Sequence, residues 1–470
     1  MAKKPDVNLA AKPAPLDFGH PPETIQFWKR LVREALSLSP VTPFYLFSAL
    51  PIAEKISELD AALVNAGFQS AIGNRKSKIS CRHWLSCKTQ PVAPLLRWWR
   101  EQGRGIEVVS EFELRAALTT GYAPENILIN GPAKHHWLPQ LVGQASRLFN
   151  IEGVSAKIQA SKGETPSLPT GGTPVPLLRN LSVNFDSPAE LAALLPLAKK
   201  LNWRCGARIL TDEEFDPENP QLPTQFGFSP DEAVAALKKL RRAKVRTETV
   251  HFHLRSNVST VAAFERAIAE VAEVCRAAKF SPLHLDIGGG IPVRQVLTRG
   301  SKVYDGEFGL RSFAKMLRQS AKQFPELREI WLENGRFLTT SSGALVVKIL
   351  DVKERRGVRQ LICDGGRTLS ALMSLWEQHA LLPLAERSGE TALTVVHGPT
   401  CMAFDQLARI PLPRSLQAGD HLIWLEAGAY HLPWETRFSH GHAAVWWHDE
   451  RGLRLARERQ SFQNFWGQWE

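Results

Sequence analysis

The chain has 470 residues, of which 44% are hydrophobic and 22% charged, and its formal net charge is +11. This length is too great for one ordinary hydrophobic core, so we expect two domains. The composition is that of a globular protein, and no uninterrupted apolar run approaches the roughly 18 residues that would span a bilayer. The Lys/Pro/Ala-rich stretch Met1–Glu23 has no apolar core segment, so we expect no secretory signal.

From Phe44 to Phe337, short β-type runs alternate with amphipathic helical runs. The predicted strands are Ile79–Ser86, Gly105–Ser110, Ile127–Asn130, Leu181–Phe185, Ala207–Leu210, Thr249–Leu254, Leu283–Ile287 and Ile330–Leu332. The predicted helices between them include Pro91–Glu101, Ser187–Leu201, Ser229–Leu240, Val261–Ala278 and Leu310–Gln323. Eight strands that alternate with helices predict a closed (β/α)8 barrel of the TIM type, with an open doubly wound sheet as the rival fold.

After Phe337 the pattern changes to strands with few helices between them. These predicted strands are Ala344–Lys353, Val358–Cys363, Leu393–His397, His421–Glu426 and Ala443–Asp449. We therefore predict an N-terminal tail and lead-in to a β domain (1–43), an α/β barrel (44–337) and a C-terminal β-rich domain of barrel or sandwich type (338–470). A Ser/Thr/Gly/Pro-rich stretch near 155–176 predicts a flexible insertion in the barrel.

Cysteine spacing and charge distribution bear on compartment and partners. The six cysteines are scattered without a CxxC pair, which argues against a zinc ribbon or a redox dithiol and favours a reducing cytoplasm. The basic residues are dispersed along the chain, so nucleic-acid binding is the lesser alternative. A basic surface would equally attract anionic substrates or an acidic carrier protein.

Lys88 stands at the end of the β-type run Ile79–Lys88, ahead of a Thr-Gln-Pro break. The carboxyl end of a barrel strand is where this fold places catalytic groups. A lysine amine can form a Schiff base with an aldehyde cofactor when its surroundings lower its pKa. A solvated surface lysine is the alternative, and the motifs downstream decide between the two.

Two histidines and three glycines end later strands of the predicted barrel. His251 and His253 alternate onto one face, as a metal site would require, but the sequence offers no matching third ligand, so we predict no metal site. Gly288–Gly290 follow an apolar strand, and glycines let backbone N–H groups approach an anion such as phosphate. The dinucleotide-binding pattern GxGxxG is not present here, because Val293 occupies the position of its third glycine.

The ordered set of motifs resembles the fold-type III decarboxylases that depend on pyridoxal 5′-phosphate (PLP), the group of ornithine and diaminopimelate decarboxylases. The barrel of that family resembles alanine racemase. The matches are the strand-end lysine Lys88, Ser110–Leu114 for SxxEL, His251–Ser256 for HxHxGS, Leu285–Gly290 for LDIGGG, Glu333–Arg336 for EPGR, Gly398–Cys401 for GPTC and Gly428–Tyr430 for GAY. The common order of these motifs, over residues 40 to 440, carries the resemblance.

The resemblance implies a role for each matching residue. Lys88 would hold PLP as an internal aldimine, and Glu107 stands where the family usually has an aspartate near that lysine. His253 would stack on the pyridine ring, and Glu333 would keep the ring nitrogen protonated, which makes the cofactor a strong electron sink. Cys401 would come from the partner subunit of a homodimer and protonate the substrate carbon. The phosphate would be bound by Gly288, Gly289, Gly290, Ser256, Arg336 and Tyr430.

Departures from the family pattern concern the substrate. The residue after Cys401 is usually an acid that meets the distal amine of the substrate, but here it is Met402. Arg255 replaces a usual glycine and would add a cation near the cofactor. These changes predict a substrate other than ornithine, lysine or diaminopimelate, with an apolar or acidic side chain, free or carrier-bound. Asp364 or Asp405 from another loop could replace the missing acid.

The sequence therefore predicts a cytoplasmic PLP-dependent carboxy-lyase that converts an amino acid to an amine. One alternative is a PLP-dependent racemase or epimerase, but alanine racemases place an arginine at the pyridine nitrogen, so Glu333 favours decarboxylation. The other is a regulatory protein without PLP. The joint presence of Lys88, Glu333, Arg336, Cys401 and Tyr430 argues against it.

Overall fold

The computed structural model describes residues 18–69, 79–142, 178–215, 224–298, 307–370, 373, 377–387 and 389–470. The strands form two main sheets, a closed barrel of eight strands and a nine-stranded sheet. The insertion predicted near 155–176 lies outside the described residues. In the described part of the chain, no helix combines the length and the apolar character needed to cross a membrane.

The barrel consists of eight parallel strands, as the alternation of strands and helices predicts. In sequence order they are β2 (Ser80–Ser86), β3 (Gly105–Val108), β4 (Ile127–Ile129), β5 (Ser182–Phe185), β6 (Arg204–Arg208), β7 (Thr247–His251), β8 (His284–Asp286) and β10 (Glu329–Asn334). The last strand pairs in parallel with both β2 and β8, so the sheet closes. Closure excludes the open doubly wound sheet and confirms the predicted fold class.

Eight helices within the described ranges belong to the barrel region; the first precedes β2, and the others come after barrel strands. They are α2 (Ala49–Asn65), α3 (Ala93–Glu101), α4 (Glu111–Thr119), α5 (Pro188–Lys200), α6 (Pro230–Arg242), α7 (Val261–Ala278), α8 (Leu310–Ser320) and α9 (Arg336–Thr339). Serines begin four of them: the side chains of Ser110, Ser187 and Ser229 each accept a hydrogen bond from the backbone N–H three residues later, and that of Ser48 accepts one from the N–H two residues later. Such caps satisfy N–H groups that have no partner within the helix. The Ser110–Leu114 motif is therefore, locally, a helix start.

The barrel interior changes from apolar to polar along the strands. Trp84, Leu128 and Trp331 form a buried cluster of their own, with the two indole rings 5.0 Å apart. Side chains two residues further along a strand point to the same face. Asn130 and Glu333 therefore also face the interior, one layer closer to the carboxyl ends, where barrel enzymes place their chemistry.

The second sheet contains nearly all of the strands outside the barrel. They are β1 (Phe44–Ser48), β11 (Gly343–Arg355), β12 (Val358–Cys363), β14 (Leu381–Pro383), β15 (Thr391–His397), β16 (Gln406–Pro413), β17 (His421–Trp424), β18 (Ala444–Asp449) and β19 (Gly452–Arg457). A small separate ladder pairs β9 (Leu297–Thr298) with β13 (Glu377–Gln378). Helices α1 (Pro22–Leu38), α10 (Arg367–Ser370) and α11 (Phe462–Trp466) complete the description.

The predicted start of the barrel at residue 44 needs a correction. Strand β1 begins at Phe44 and pairs with β11 and β18, so it belongs to the second sheet, whereas the first barrel strand begins at Ser80. The run Phe44–Ser48 is buried throughout, which hides the period-two alternation that would have distinguished a sheet strand from a barrel strand.

Candidate active site

A cleft at the carboxyl ends of the barrel strands gathers most of the residues that the motifs singled out. Lys88 lies in a 3-10 turn directly after β2, and Tyr430 reaches the cleft from the segment after β17. The lining comprises Ser86, Lys88, His253, Ser256, Asn257, Gly289, Gly290, Ile291, Glu333, Asn334, Gly335, Arg336, Phe337 and Tyr430. Motifs separated by more than 300 residues in sequence thus meet in one place.

Lys88 forms an ion pair with Glu107 of β3. Its Nζ lies 2.9 Å from Oε2 and 3.1 Å from Oε1 of the carboxylate, which is buried, whereas the lysine side chain is 32% exposed. Desolvation lowers the pKa of Lys88, but the carboxylates of Glu107 and Glu333 raise it more, so it lies above the ordinary lysine value. The expectation that the surroundings lower this pKa is therefore wrong for the chain without cofactor, because a buried acid sits against the amine.

Glu333 is buried at the end of β10 among polar side chains. Its Oε1 accepts a hydrogen bond from Asn130 Nδ2 and lies 3.3 Å from His251 Nε2, while its Oε2 lies 3.4 Å from His253 Nδ1. Burial raises the pKa of Glu333, but the two histidines and Lys88 together lower it by more, so the pKa lies below its ordinary value. Glu333 is therefore an ionised carboxylate aimed at the cleft.

Glu333 also supplies the third potential metal ligand beside the two histidines, which the sequence did not reveal. One ligand atom from each of His251, His253 and Glu333 lies within 4.8 Å of the others. The search by spacing failed because the carboxylate comes from a strand about 80 residues away in sequence. Burial lowers the pKa of His251 to about 3, so its ring is neutral at physiological pH.

The three glycines after β8 form a cradle that other residues could not form. Gly288 and Gly290 have φ angles of +64° and +97°, and a Cβ on Gly289 would lie 2.7 Å from the Glu333 carbonyl oxygen. The Gly289 N–H donates to His253 Nδ1 at 3.1 Å, which fixes the imidazole against the loop. Backbone without side chains therefore lines this part of the cleft, as a phosphate requires.

Arg336 supplies the positive charge beside the cradle. Its guanidinium stacks 4.9 Å from the Tyr430 ring centroid and pairs through Nη1 with buried Glu377. Its Nε is buried and has no hydrogen-bond partner among the described residues. The buried Arg336 N–H beside the glycine backbone fits the phosphate of PLP. The ionised Glu333 carboxylate fits its pyridine nitrogen and the Lys88 amine fits its aldehyde, so the residues present fit PLP.

Cys401 lies in a loop that Asp405 organises. The buried Asp405 carboxylate accepts hydrogen bonds from Arg367 N at 2.6 Å, Thr400 N at 3.1 Å and Thr400 Oγ1 at 2.6 Å. Asp405 N–H donates to the Met402 carbonyl at 2.9 Å. Cys401 itself is exposed and does not line the described cleft of its own chain. Asp405 is thus occupied within its own loop.

Two further predicted substrate contacts do not line the described cleft. Arg255 Nη1 donates to the Glu213 carbonyl at 3.0 Å, so this cation bonds to the turn after β6. Asp364 accepts hydrogen bonds from Thr42 Oγ1 and from the Lys348 N–H, the latter at 2.8 Å. Both side chains therefore already have partners within the fold.

Sequence reasoning missed three polar residues of this region, Asn130, Asn184 and Glu377. Asn130 and Asn184 belong to the layer around Glu333, and Glu377 holds Arg336. A usable signal existed for Asn130, because a polar residue directly after the apolar run Ile127–Ile129 marks the carboxyl end of a barrel strand. Nothing in the sequence pattern marks Glu377.

Comparison with known proteins gives a consistent assignment. The family described as "Pyridoxal-dependent decarboxylase, pyridoxal binding domain" matches residues 178–340, which include the histidine, glycine and Glu333 motifs. Diaminopimelate decarboxylase of Deinococcus radiodurans is 28% identical over 431 residues, covering 90% of this chain and 95% of that protein. The Zymomonas mobilis enzyme of the same name is 24% identical and covers 83% of each chain.

Solved structures share the fold over nearly the whole chain. Diaminopimelate decarboxylase from Helicobacter pylori, complexed with L-lysine, superposes with a TM-score of 0.72 at 21% identity, covering 93% of this chain and 99% of that one. Lysine/ornithine decarboxylase from Vibrio vulnificus, complexed with cadaverine, has a TM-score of 0.67 at 19% identity and covers 89% and 97%. The pyridoxal-binding match and the relatives aligned over most of their length together support a fold-type III PLP-dependent decarboxylase family and indicate a PLP-dependent carboxy-lyase.

Proposed function

We propose that this protein decarboxylates an α-amino acid whose side chain ends in a neutral or carboxylate group, with PLP attached to Lys88. The observation that carries the proposal is the position of Lys88 between two carboxylates, paired with Glu107 and close to Glu333, at the floor of a glycine-lined cleft. Bound PLP supplies the electron sink for the carbanion that loss of CO2 leaves at Cα.

In this proposal the chain's own residues bind and orient the cofactor. Lys88 would hold the cofactor through its aldehyde carbon. His253 packs on the ring, held by the Gly289 N–H. Glu333 holds a proton at the pyridine nitrogen, which its low pKa and buried position favour. The phosphate is bound by Gly288, Gly289, Gly290, Ser256, Arg336 and Tyr430.

Cys401 would act in the cleft of a second copy of the chain. Its exposure and its absence from the described lining of its own cleft support a homodimer in which each subunit lends the thiol to the other. The rigid loop built around Asp405 would present it. In that position the thiol would return a proton to Cα after CO2 has left.

The substrate proposal rests on Met402, which follows Cys401 in the same loop. A methionine side chain cannot pair with an ammonium group, and Asp405 and Asp364, the acids considered as replacements, bond within the fold. A neutral or carboxylate tail avoids an unpaired charge. The excess of basic residues, +11 overall, would also suit an acidic carrier protein that delivers a tethered amino acid.

The proposal is tested by cofactor uptake followed by CO2 release. Purified protein incubated with PLP should develop the visible absorbance of lysine-bound cofactor, which borohydride reduction fixes to the peptide containing Lys88. CO2 release is then measured with a panel of amino acids and with carrier-tethered amino acids. Absence of the absorbance would refute the cofactor assignment, and racemisation without CO2 release would refute the reaction.

Covalent attachment of PLP should depend steeply on pH, because the pKa of Lys88 is raised and only the neutral amine attacks an aldehyde. The attachment rate should rise about tenfold per pH unit above neutrality until the Lys88 pKa is reached. Glu107→Gln removes the paired carboxylate, lowers that pKa and should shift the whole profile to lower pH. Stopped-flow absorbance measures the rate, with Glu111→Gln in α4 as control. Superimposable profiles for Glu107→Gln and wild type would contradict the role of the ion pair.

Cys401→Ala should slow product formation about a hundredfold and release side products, while PLP uptake stays unchanged, because the thiol acts after CO2 has left. Cys81→Ala, a half-buried thiol at the start of β2, is the control. Mixing Lys88→Ala and Cys401→Ala chains tests sharing between subunits: random reassociation leaves one intact site in half of the dimers, about a quarter of wild-type activity. No recovery on mixing would contradict the shared site.

A further inference from the structure

A layer of polar side chains fills the barrel interior next to the cleft. Its members come from five different strands or strand ends, and each is at most 4% exposed: Glu107, Asn130, Asn184, Asp286 and Glu333. Barrel interiors are ordinarily filled with branched apolar side chains. Buried polar groups are costly unless they bond to one another. The hydrogen bonds of this layer meet at Asn130.

The Asn130 amide uses both of its ends within the layer. Its Nδ2 donates to Glu333 Oε1 and lies 3.5 Å from Glu107 Oε1, while its Oδ1 accepts from Asn184 Nδ2 at 3.0 Å. Asn184 Nδ2 also donates to Asp286 Oδ2 at 3.0 Å. If the Asn130 amide were reversed, its oxygen would face the carboxylates of Glu333 and Glu107, and its NH2 group would face the NH2 group of Asn184. The network therefore fixes the orientation of the Asn130 amide.

We propose that Asn130 is a positioning residue for the decarboxylation: its amide holds Oε1 of Glu333, so that Oε2 is presented to the pyridine nitrogen of PLP. This role rests on the proposed function. It is supported by the 3.4 Å separation between Glu333 Oε2 and His253 Nδ1, which places that oxygen beside the imidazole on which the ring would pack. The amide is also a neutral donor located between two buried carboxylates, Glu333 and Glu107.

His253 and Asp286 also hydrogen-bond to Glu333, and in all four other groups face it. They are Lys88 after β2, His251 and His253 from β7 and the loop after it, and Asp286 from β8. Lys88 is already paired with Glu107. Burial and the Glu333 carboxylate raise the pKa of Asp286, and burial lowers that of His251 to about 3, so the His251 ring is neutral at physiological pH. Unlike these titratable groups, the Asn130 amide donates to Oε1 of Glu333 without any change of its own charge.

The test compares three variants of the full chain. Asn130→Leu removes the donor at similar volume, Asn130→Ser keeps one O–H donor, and Asn126→Leu alters an asparagine at the opposite end of the same strand, where its Oδ1 accepts from Arg82. PLP labelled with ¹⁵N in the ring reports the protonation of the pyridine nitrogen by NMR, apart from any activity measurement. Thermal denaturation of each variant establishes that it folds.

Asn130→Leu should move the ¹⁵N resonance toward that of an unprotonated ring, because a carboxylate without its donor is more basic and draws the shared proton to itself. We expect kcat to fall about tenfold to a hundredfold, the loss typical of a hydrogen bond to a charged group, with KM changed by less than about twofold. Asn130→Ser should recover most of kcat and of the resonance position, and Asn126→Leu should match wild type.

A folded Asn130→Leu variant with wild-type resonance and kcat would overturn the positioning role while leaving the proposed function intact. If Asn130→Leu does not fold, Asn130→Ala takes its place: a loss of kcat together with a shifted resonance supports the role, and wild-type values of both overturn it. A wild-type chain that takes up no PLP would overturn the proposed function and this role together.

Discussion

Replacing Lys88 with alanine should abolish the visible absorbance of lysine-bound PLP and reduce turnover by about a thousandfold or more, because no other amine replaces the attacking nitrogen. The chain should still fold, since the Lys88 side chain points into the cleft and contributes to none of the buried apolar clusters. Absorbance after PLP addition, CO2 release with the best substrate and thermal denaturation measure the three effects.

Lys88→Arg separates covalent attachment from the ion pair. Arginine keeps a positive charge against Glu107 but cannot attach the aldehyde, so this variant should be as inactive as Lys88→Ala while retaining more thermal stability. Lys353→Ala, on the exposed part of β11, controls for removal of a lysine as such. Retention of more than a few per cent of turnover in Lys88→Ala would contradict a covalent role for this residue.

The barrel could be predicted from sequence because short strand-like runs alternate with helical runs, and several of the helices have their own start signal. The run Ile127–Ile129 and the serine cap at Ser187 are examples that need no long-range information. The C-terminal sheet was predicted less completely. Strand β1 joins it from a position nearly 300 residues before β11, and no local pattern records such a pairing.

The site was predictable only as far as its residues lie in recognisable motifs. Lys88, the glycines and Glu333 could be placed because strand ends of one barrel converge on one mouth. The contact between Asn130 and Glu333 joins side chains 203 residues apart, and the direction of the Lys88 pKa depends on the reach of the Glu107 carboxylate. Such facts follow from three-dimensional distance, so spacing along the chain does not contain them.

The same limit applies to Asp405, which the sequence offered as a replacement for the acid that is missing at position 402. Its carboxylate instead accepts hydrogen bonds within and next to the Cys401 loop. Two neighbouring glycines leave space for this carboxylate, because a Cβ on Gly366 or Gly398 would lie within 2.5 Å of its oxygens. A loop held this firmly fixes the position of Met402 as well. The identity of residue 402 therefore becomes the feature of this loop that bears most directly on substrate choice.

Ornithine, lysine and diaminopimelate should be poor substrates, although the relatives named above are diaminopimelate decarboxylases. Burying the distal ammonium of such a substrate against Met402 would leave a charge without a partner, at a cost of about 3–5 kcal/mol, or roughly a hundredfold to several thousandfold in kcat/KM. The Arg255 guanidinium bonds to the Glu213 carbonyl and does not line the described cleft, so this barrier rests on Met402 alone. The measurement is CO2 release from each diamino acid relative to the best substrate of the panel.

Met402→Glu gives this prediction its sharpest form. A carboxylate at this position would pair with a distal ammonium in the dimer, so activity on at least one of the three diamino acids should rise by tenfold or more, while activity on the preferred substrate falls. Met402→Gln, which has the same length without the charge, should produce neither change. Wild-type turnover of any of these diamino acids that equals the best rate of the panel would refute the specificity argument and leave the PLP chemistry unaffected. The reason for separating the two outcomes is physical: in the proposed function the electron sink depends on Glu333 and Lys88 in the barrel, whereas side-chain selection depends on a loop of the other sheet.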